Sequence, residues 1–274
     1  MNYCSVYNQI TEALSYIKEI DEWIIDYNKR DNTLLDFIKQ HQEKKINIRI
    51  DEKDYDCAEI LIEIAKANHN VSLLFKVWNE NIVEKAAAAH IKFFFEEKVN
   101  NWDILNSFIS NGVSEIYVTD SLGFEIIKVA EVVHSKGVKI RVYPNIAQAQ
   151  WFDTPDLLKF FIRPEDVDAY EKYIDTLEFY GDVEKHQIYY KIYKNKEWFG
   201  PLNEIIIGLE SDIDSRYLLR SFISKRLRCE RKCLKGNSCN RCFEIEELSK
   251  KMKENHLRVS FDIKGGEEED GSEG

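Results

Sequence analysis

The chain is predicted to be an α/β protein built on a (β/α)8, TIM-barrel-like domain, with a helical C-terminal extension that carries four cysteines. Three observations lead there. Eight short apolar, strand-like runs recur at intervals of roughly 20 residues, with helix-like segments between them. Glycines follow several of those helices, where a left-handed residue ends a helix at no steric cost. The length of 274 residues, 44% of them hydrophobic, matches a single barrel, which takes about 250 residues. An open doubly wound sheet would give the same local pattern and is the alternative.

The eight runs are Trp23 to Tyr27, Ile46 to Ile50, Val71 to Val77, Ile91 to Phe95, Val113 to Thr119, Val138 to Tyr143, Lys159 to Ile162 and Thr176 to Tyr180. Before them, Thr11 to Ile20 reads as an opening helix. The first run is ambiguous, because Ile17, Ile20, Ile24 and Tyr27 also fit one helical face. Cys57 to Ala67 reads as a helix with Ile60, Leu61, Ile64 and Ala65 on one side. Further helices are expected over Ile82 to His90, Asn101 to Ser110 and Phe124 to Ser135, the last two closed by Gly112 and Gly137. Pro144 turns the chain after the sixth run. Pro164, followed by Glu165 and Asp166, suits a helix start, where a missing N–H costs nothing and acids meet the positive end of the dipole.

After Val183 the rhythm stops. The expected organisation is a barrel domain over 1–182, an extension over 183–264 and a mobile acidic tail over 265–274, composed only of Gly, Glu, Asp and Ser. The extension opens with a Tyr-rich helix, His186 to Tyr193. Tyr189, Tyr190, Tyr193, Trp198 and Phe199 either pack on the barrel or, if exposed, mark a partner surface.

Composition narrows the functional classes. A net charge of −11 argues against a general nucleic-acid coat. No stretch is long and apolar enough for a membrane span. Met1-Asn2-Tyr3-Cys4 lacks the basic start and apolar run of a secretory signal, so a cytoplasmic location is expected. The partner expected is a small molecule or an unidentified protein.

The clearest chemical signal is Cys229-x3-Cys233-x5-Cys239-x2-Cys242, four of the six cysteines within 14 residues. Thiolates at such spacing surround a soft metal ion or an iron–sulfur cluster, and Lys235-Gly236-Asn237-Ser238 supplies the turn. Disulfides are disfavoured in a cytoplasmic protein. Zn2+ is favoured narrowly, with a [4Fe–4S] cluster as the alternative. Arg226, Arg228, Arg231, Lys232, Lys235 and Arg241 surround the cysteines. These cations either offset the charge of four thiolates or form a basic nucleic-acid knuckle.

If the barrel closes, strand ends gather at one rim, where barrel enzymes place their sites. The acid–base candidates there are Asp26, Asp51, Glu96 and Asp120, with His186 after the last strand. Each competes with a plainer role, since Asp and Asn after a strand often cap the next helix. No glycine-rich phosphate loop, G-x-S-x-G elbow or His-x3-His pair is present.

Two passages carry a family resemblance. Ile116-Tyr117-Val118-Thr119-Asp120-Ser121-Leu122-Gly123-Phe124 resembles the strand and "D-x-G" turn of the collagenase-like peptidase family. Arg163-Pro164-Glu165-Asp166-Val167 and Leu177-Glu178-Phe179-Tyr180-Gly181 resemble its helix and its "E-x-F-x-H-G" strand. The resemblance implies a barrel with four cysteines in its later part, as in iron–sulfur proteins of tRNA or ubiquinone hydroxylation. Here Tyr180 replaces the family's His, the cysteine after its Gly and the "S-G-R-C" turn are absent, and the four cysteines are more closely spaced.

Elemental analysis with an absorption spectrum, on wild type and Cys239→Ser, tests the thiolate site. A colourless protein with one zinc per chain, lost in the variant, is expected; brown protein with acid-labile sulfide marks the cluster, and metal-free wild type refutes both.

Overall fold

A computed structural model of the chain describes residues 1–7, 19–29, 33–119, 122–123, 125–147, 159–210, 213–218, 227, 244–245, 247–248 and 251. The strands are β1 (Asn2–Tyr7), β2 (Glu22–Asp26), β3 (Lys45–Ile50), β4 (Val71–Phe75), β5 (Phe93–Phe95), β6 (Lys98–Val99), β7 (Glu115–Val118), β8 (Lys139–Val142) and β9 (Thr176–Glu178). Helices follow or precede them: α1 (Leu34–Gln40), α2 (Ala58–Ala67), α3 (Glu80–Ala88), α4 (Trp102–Ser110), α5 (Ile126–Ser135), α6 (Val167–Tyr170) and α7 (Val183–Asn195).

All ladders are parallel, and the strand order is β5-β4-β3-β2-β1-β9-β8-β7-β6. The two outermost strands of that order, β5 and β6, are consecutive in the chain. They are two halves of one strand broken at Glu96 and Glu97, so the sheet curls until its ends meet. The Ser114 N–H donates to the Phe93 carbonyl at 2.8 Å across the seam. This is a nearly closed α/β barrel with eight strand positions, as the rhythm predicts.

One of the eight expected runs needs correction, and one strand was not expected. Lys159 to Ile162 is not a barrel strand: β8 pairs directly with β9, Arg141 opposite Thr176 and Val142 opposite Leu177. Phe160, Phe161 and Ile162 are buried and join the outer apolar layer, with one ladder-like bond from Ile162 N–H to the Pro144 carbonyl. The missing eighth position is β1, at the very start of the chain, which pairs with both β2 and β9. Trp23 to Tyr27 is a strand and not a helix, and Thr11 to Ile20 lies almost wholly outside the described residues. Gly112 and Gly137 take φ of +79° and +73° after α4 and α5, the left-handed stops that their positions predict.

The alternation of a strand divides these residues into two sets. Ile46, Ile48, Ile50, Val71, Leu73, Phe75, Ile140, Val142 and Leu177 face outward into one large core shared with the helices. The other set faces the lumen. There Cys4, Ile24, Leu74, Phe94, Tyr117 and Tyr143 form a separate small cluster. α7 covers β1 from outside, with Tyr189, Tyr190 and Tyr193 buried and the Tyr3 hydroxyl donating to the Tyr193 carbonyl at 3.2 Å. Phe199, by contrast, is 69% exposed.

The lower lumen is charged. Arg141 has no exposed surface, and its guanidinium reaches Glu22 at 2.6 Å, Glu115 at 2.8 Å and Glu178 at 3.1 Å. Lys45 adds ion pairs to Glu22, at 3.1 Å, and to Glu115. Asn2 and Thr176 donate to the second oxygen of Glu22 at 2.9 and 3.0 Å. Burial works to raise the pKa of Glu22, but Arg141 and Lys45 overcome it and hold the carboxyl below the ordinary range. Phe94 and Tyr117 lie 5.1 and 5.8 Å from the guanidinium carbon and close the cage with their rings.

Replacing Arg141 by Met leaves buried carboxylates without their common partner. It is expected to cost about 3–5 kcal/mol in urea unfolding, with part of the loss recovered in Arg141→Met combined with Glu22→Gln. An unshifted midpoint for the single variant would show that the cluster contributes no net stability.

Candidate active site at the barrel mouth

Because the strands are parallel, their carboxyl ends meet at one mouth. A cavity of about 300 Å3 opens there. Its polar lining comes from four strand ends and one helix: Arg49 near the end of β3, Glu96 after β5, Tyr143 after β8, Glu178 at the end of β9, and His186 on the first turns of α7. Val6, Phe179, Tyr180, Gly181 and Val183 supply the rest of the wall. Gly181, at φ +103°, makes the turn from β9 towards α7 that carries His186 back over the mouth.

Glu178 links the cavity to the charged lumen. Its Oε2 accepts from the Tyr117 hydroxyl at 2.7 Å and from Arg141 at 3.1 Å. Both bonds end on the same oxygen, which leaves Oε1 for the cavity that the residue lines. Burial pushes the Glu178 carboxyl up, and it stays raised although Arg141 and Tyr117 both favour the ionised form. Two cations, Arg141 and Lys45, face three carboxylates in this cluster, an excess that works with burial against ionisation of Glu178.

His186 is 1% exposed. Its Nδ1 sits 2.6 Å from the Ser5 hydroxyl, and its Nε2 is buried with no hydrogen bond of ordinary geometry. Burial drives its pKa down from 6.5 to about 4, against the Gly181 backbone and Asp182, which favour the charged form. The ring is therefore neutral near pH 7, one nitrogen anchored and the other unused.

The other residues of the rim separate by role. Asp26 holds the Arg49 fork, with 2.9 Å between its Oδ2 and the second guanidinium nitrogen. Arg49 also reaches Glu96 at 3.5 Å, so Asp26 acts on the cavity through Arg49. Asp51 pairs with Lys76 at 2.9 Å away from the cavity lining, and that contact draws its pKa down. Asn79 caps α3, accepting from Ile82 N–H at 3.2 Å. Asn145 clamps Tyr180, bonding its N–H at 2.9 Å and its carbonyl at 2.8 Å. Arg163 is paired with Asp166 at 2.7 Å in both arms and is buried. Asp120 and the four cysteines, Cys229, Cys233, Cys239 and Cys242, lie outside the described residues. Among the described residues no group of three or more His, Cys, Asp or Glu is arranged to hold a metal ion, and no helix is long and apolar enough to cross a membrane.

Sequence reasoning passes over Arg141, Glu22, Glu115, Tyr117 and Arg49. The available signal was period-two: Glu22-x-Ile24-x-Asp26, Lys45-x-Asn47-x-Arg49 and Arg141-x-Tyr143 put polar or charged residues on the same face of successive strands.

His186 sets a pH dependence. The folded pKa lies below the unfolded one, so the neutral ring stabilises the fold above pH 6.5, and that contribution is lost as pH falls from 6.5 towards 4. The gap is worth about 3 kcal/mol. Urea unfolding of wild type is expected to weaken across this window, and His186→Gln to flatten the slope; parallel profiles for the two would show that the ring is not held neutral by burial.

No family model matches the chain, and no curated protein matches it. Solved structures similar to it include RipC from Yersinia pestis, at 10% identity over 70% of this chain and 94% of that one, TM-score 0.40. A cube-shaped, highly porous protein cage designed by fusing symmetric oligomeric domains matches at 9% identity over 95% and 87%, TM-score 0.44. A 4-hydroxy-2-oxoglutarate aldolase/2-deydro-3-deoxyphosphogluconate aldolase from TTHB1 matches at 11% over 64% and 92%, TM-score 0.33. At these scores the likenesses carry no argument about activity.

Proposed function

We propose that the mouth cavity binds a small, uncharged, hydroxylated molecule and moves a proton on it, with Glu178 as the proton carrier. The observation that carries this reading is a buried carboxyl with raised pKa and a buried imidazole that line one cavity at the carboxyl ends of the strands. A carboxyl whose pKa is raised keeps its proton to higher pH than an exposed one and can both give and take it. The Glu96 and Tyr143 side chains, which line the cavity, offer hydrogen bonds to hydroxyl groups. Arg49, the cation of the lining, is held by Asp26 and Glu96, so the lining offers an anion no free partner.

The four cysteines form a second, separate part of the proposal. Cys229, Cys233, Cys239 and Cys242 hold Zn2+ and staple the later chain, with a [4Fe–4S] cluster as the alternative; their spacing supports this. The likeness to the collagenase-like peptidase family remains part of the reading, and the Glu of its "E-x-F" strand corresponds to Glu178, the residue that the mouth chemistry needs. A binding or assembly role is the second reading, favoured by the exposed ring of Phe199.

Methyl-labelled protein titrated with glycerol, dihydroxyacetone and ribose tests the site. The Val6 and Val183 signals are expected to shift saturably with at least one of them, and Glu178→Gln to weaken that binding about tenfold. Shifts no larger than those of exposed Val77 would refute the cavity as a ligand site.

A further inference from the structure

The cavity has an aromatic side and a polar side. With β5 and β6 taken as one position, β8 lies four places from β3 in a ring of eight, so Tyr143 stands across the mouth from Arg49. Tyr180 belongs to the aromatic side. It continues the inward series Thr176, Glu178 by two residues, which sets it above the Glu178 carboxyl at the lip. Its side chain is 47% exposed, yet its place is fixed. Asn145, fully buried, spends both polar groups of its amide on the Tyr180 backbone, at 2.9 and 2.8 Å. The Tyr180 ring then stands edge-to-face with Tyr143, centroids 5.7 Å apart and planes at 78°. A positioned aromatic ring is thus left open to solvent on the wall of a polar cavity.

The polar side suits hydroxyl groups. A guanidinium carries five N–H donors. Asp26 engages two of those on Arg49 and Glu96 a third, at 3.5 Å, so two donors remain while the charge is met. The Glu96 carboxylate beside them accepts, and Glu178 accepts from the far end of β9. Donor and acceptor side by side match a vicinal diol, in which each oxygen both donates and accepts. These groups come from β3, β5 and β9 and are spread around the wall, as hydroxyls radiate from a saturated ring; the polar atoms of a planar base all lie in one plane.

We propose that the mouth binds one uncharged ring sugar, a pyranose whose apolar C–H face lies on the Tyr180 ring and whose hydroxyls meet Arg49, Glu96 and Glu178. This names the substrate class of the site and rests on the reading of the cavity as a ligand site. At about 300 Å3 the cavity stands at the small end of ligand pockets, which run from about 300 to 1,000 Å3, so it takes one ring and not a chain of them. Tyr180 is the specificity residue. An open-chain polyol with the same hydroxyls satisfies the polar side but brings no flat apolar face to the aromatic one.

Matched pairs of ring and open chain test this. The methyl-labelled full chain is titrated with the methyl glycosides of glucose, galactose and mannose and with the corresponding hexitols, sorbitol, galactitol and mannitol, and with adenine. At least one glycoside is expected to shift Val6 and Val183 saturably, with a Kd about fivefold below that of its hexitol. Tyr180→Ala is expected to bring that ratio to about one at an unchanged melting temperature, and Tyr180→Phe to keep it. Glycosides that bind no tighter than their hexitols overturn the proposal, as does a preference that survives Tyr180→Ala. Tighter binding of adenine than of every glycoside also overturns it, in favour of a planar base. If glycerol or dihydroxyacetone still shifts Val6 and Val183 while the ring preference is absent, only the sugar ring falls; if no polyol shifts them, the ligand site falls with it.

Discussion

The structure depends on one buried cation. Arg141 lies in the lumen with no exposed surface, and strands β2, β7 and β9 each aim a carboxylate at it. Moving a guanidinium from water into a barrel interior is costly, and only closely packed, hydrogen-bonded counter-charges repay it. Those partners come from opposite parts of the chain, Glu22 near its start and Glu178 far along it. Ring closure must therefore be in register before the charge is compensated, since a one-residue slip would turn Glu22 or Glu178 to the outer, apolar layer.

The same cluster creates the properties of the mouth. Three carboxylates share two cations, so they are not equally served. Glu22 takes Arg141, Lys45, Asn2 and Thr176, and its pKa falls. Glu178, at the end of β9, receives one arm of Arg141 and the Tyr117 hydroxyl, and its pKa rises. The difference between them is a difference in solvation and partner number, set by where each residue stands along its strand. Glu178 is the member of the cluster that both feels the lumen charges and touches the cavity, so a proton exchanged there is balanced beneath it.

The strand positions legible in the sequence were those with dense apolar runs. Val71–Phe75 and Phe93–Phe95 are buried on both faces and announce themselves. β1 did not, because Asn2-Tyr3-Cys4-Ser5-Val6 alternates without a turn before it, and its Ser5 is committed to His186. Phe160-Phe161-Ile162 reads as a strand for the opposite reason: it is apolar and buried, but it packs against Tyr170 and the outer layer without entering the ladder. An apolar run reports burial, and burial alone does not choose between a ladder and a loop that covers one. The rim was read in the same way. Residues just past strand ends were picked, and they divide into cap, surface pair and cavity wall, whereas the chemically loaded groups are the last inward residues inside the strands. Glu96 and His186 were reachable by position; Arg49, Tyr117 and Arg141 needed the period-two comparison between strands.

His186 shows how the outer layer reaches the site. The histidine belongs to α7, a helix that packs on β1 through Tyr189, Tyr190 and Tyr193. Its Nδ1 is fixed by Ser5, which points outward from β1, so the imidazole is oriented by the packing layer and not by the lumen. With that nitrogen committed, the Nε2 keeps a fixed direction and a neutral charge. Glu178 is oriented from the opposite side, by Tyr117 and Arg141 within the barrel. These two polar groups of the cavity are held by different layers, the helix layer and the lumen, and they are joined both by the β1–β9 ladder and by the short turn through Gly181.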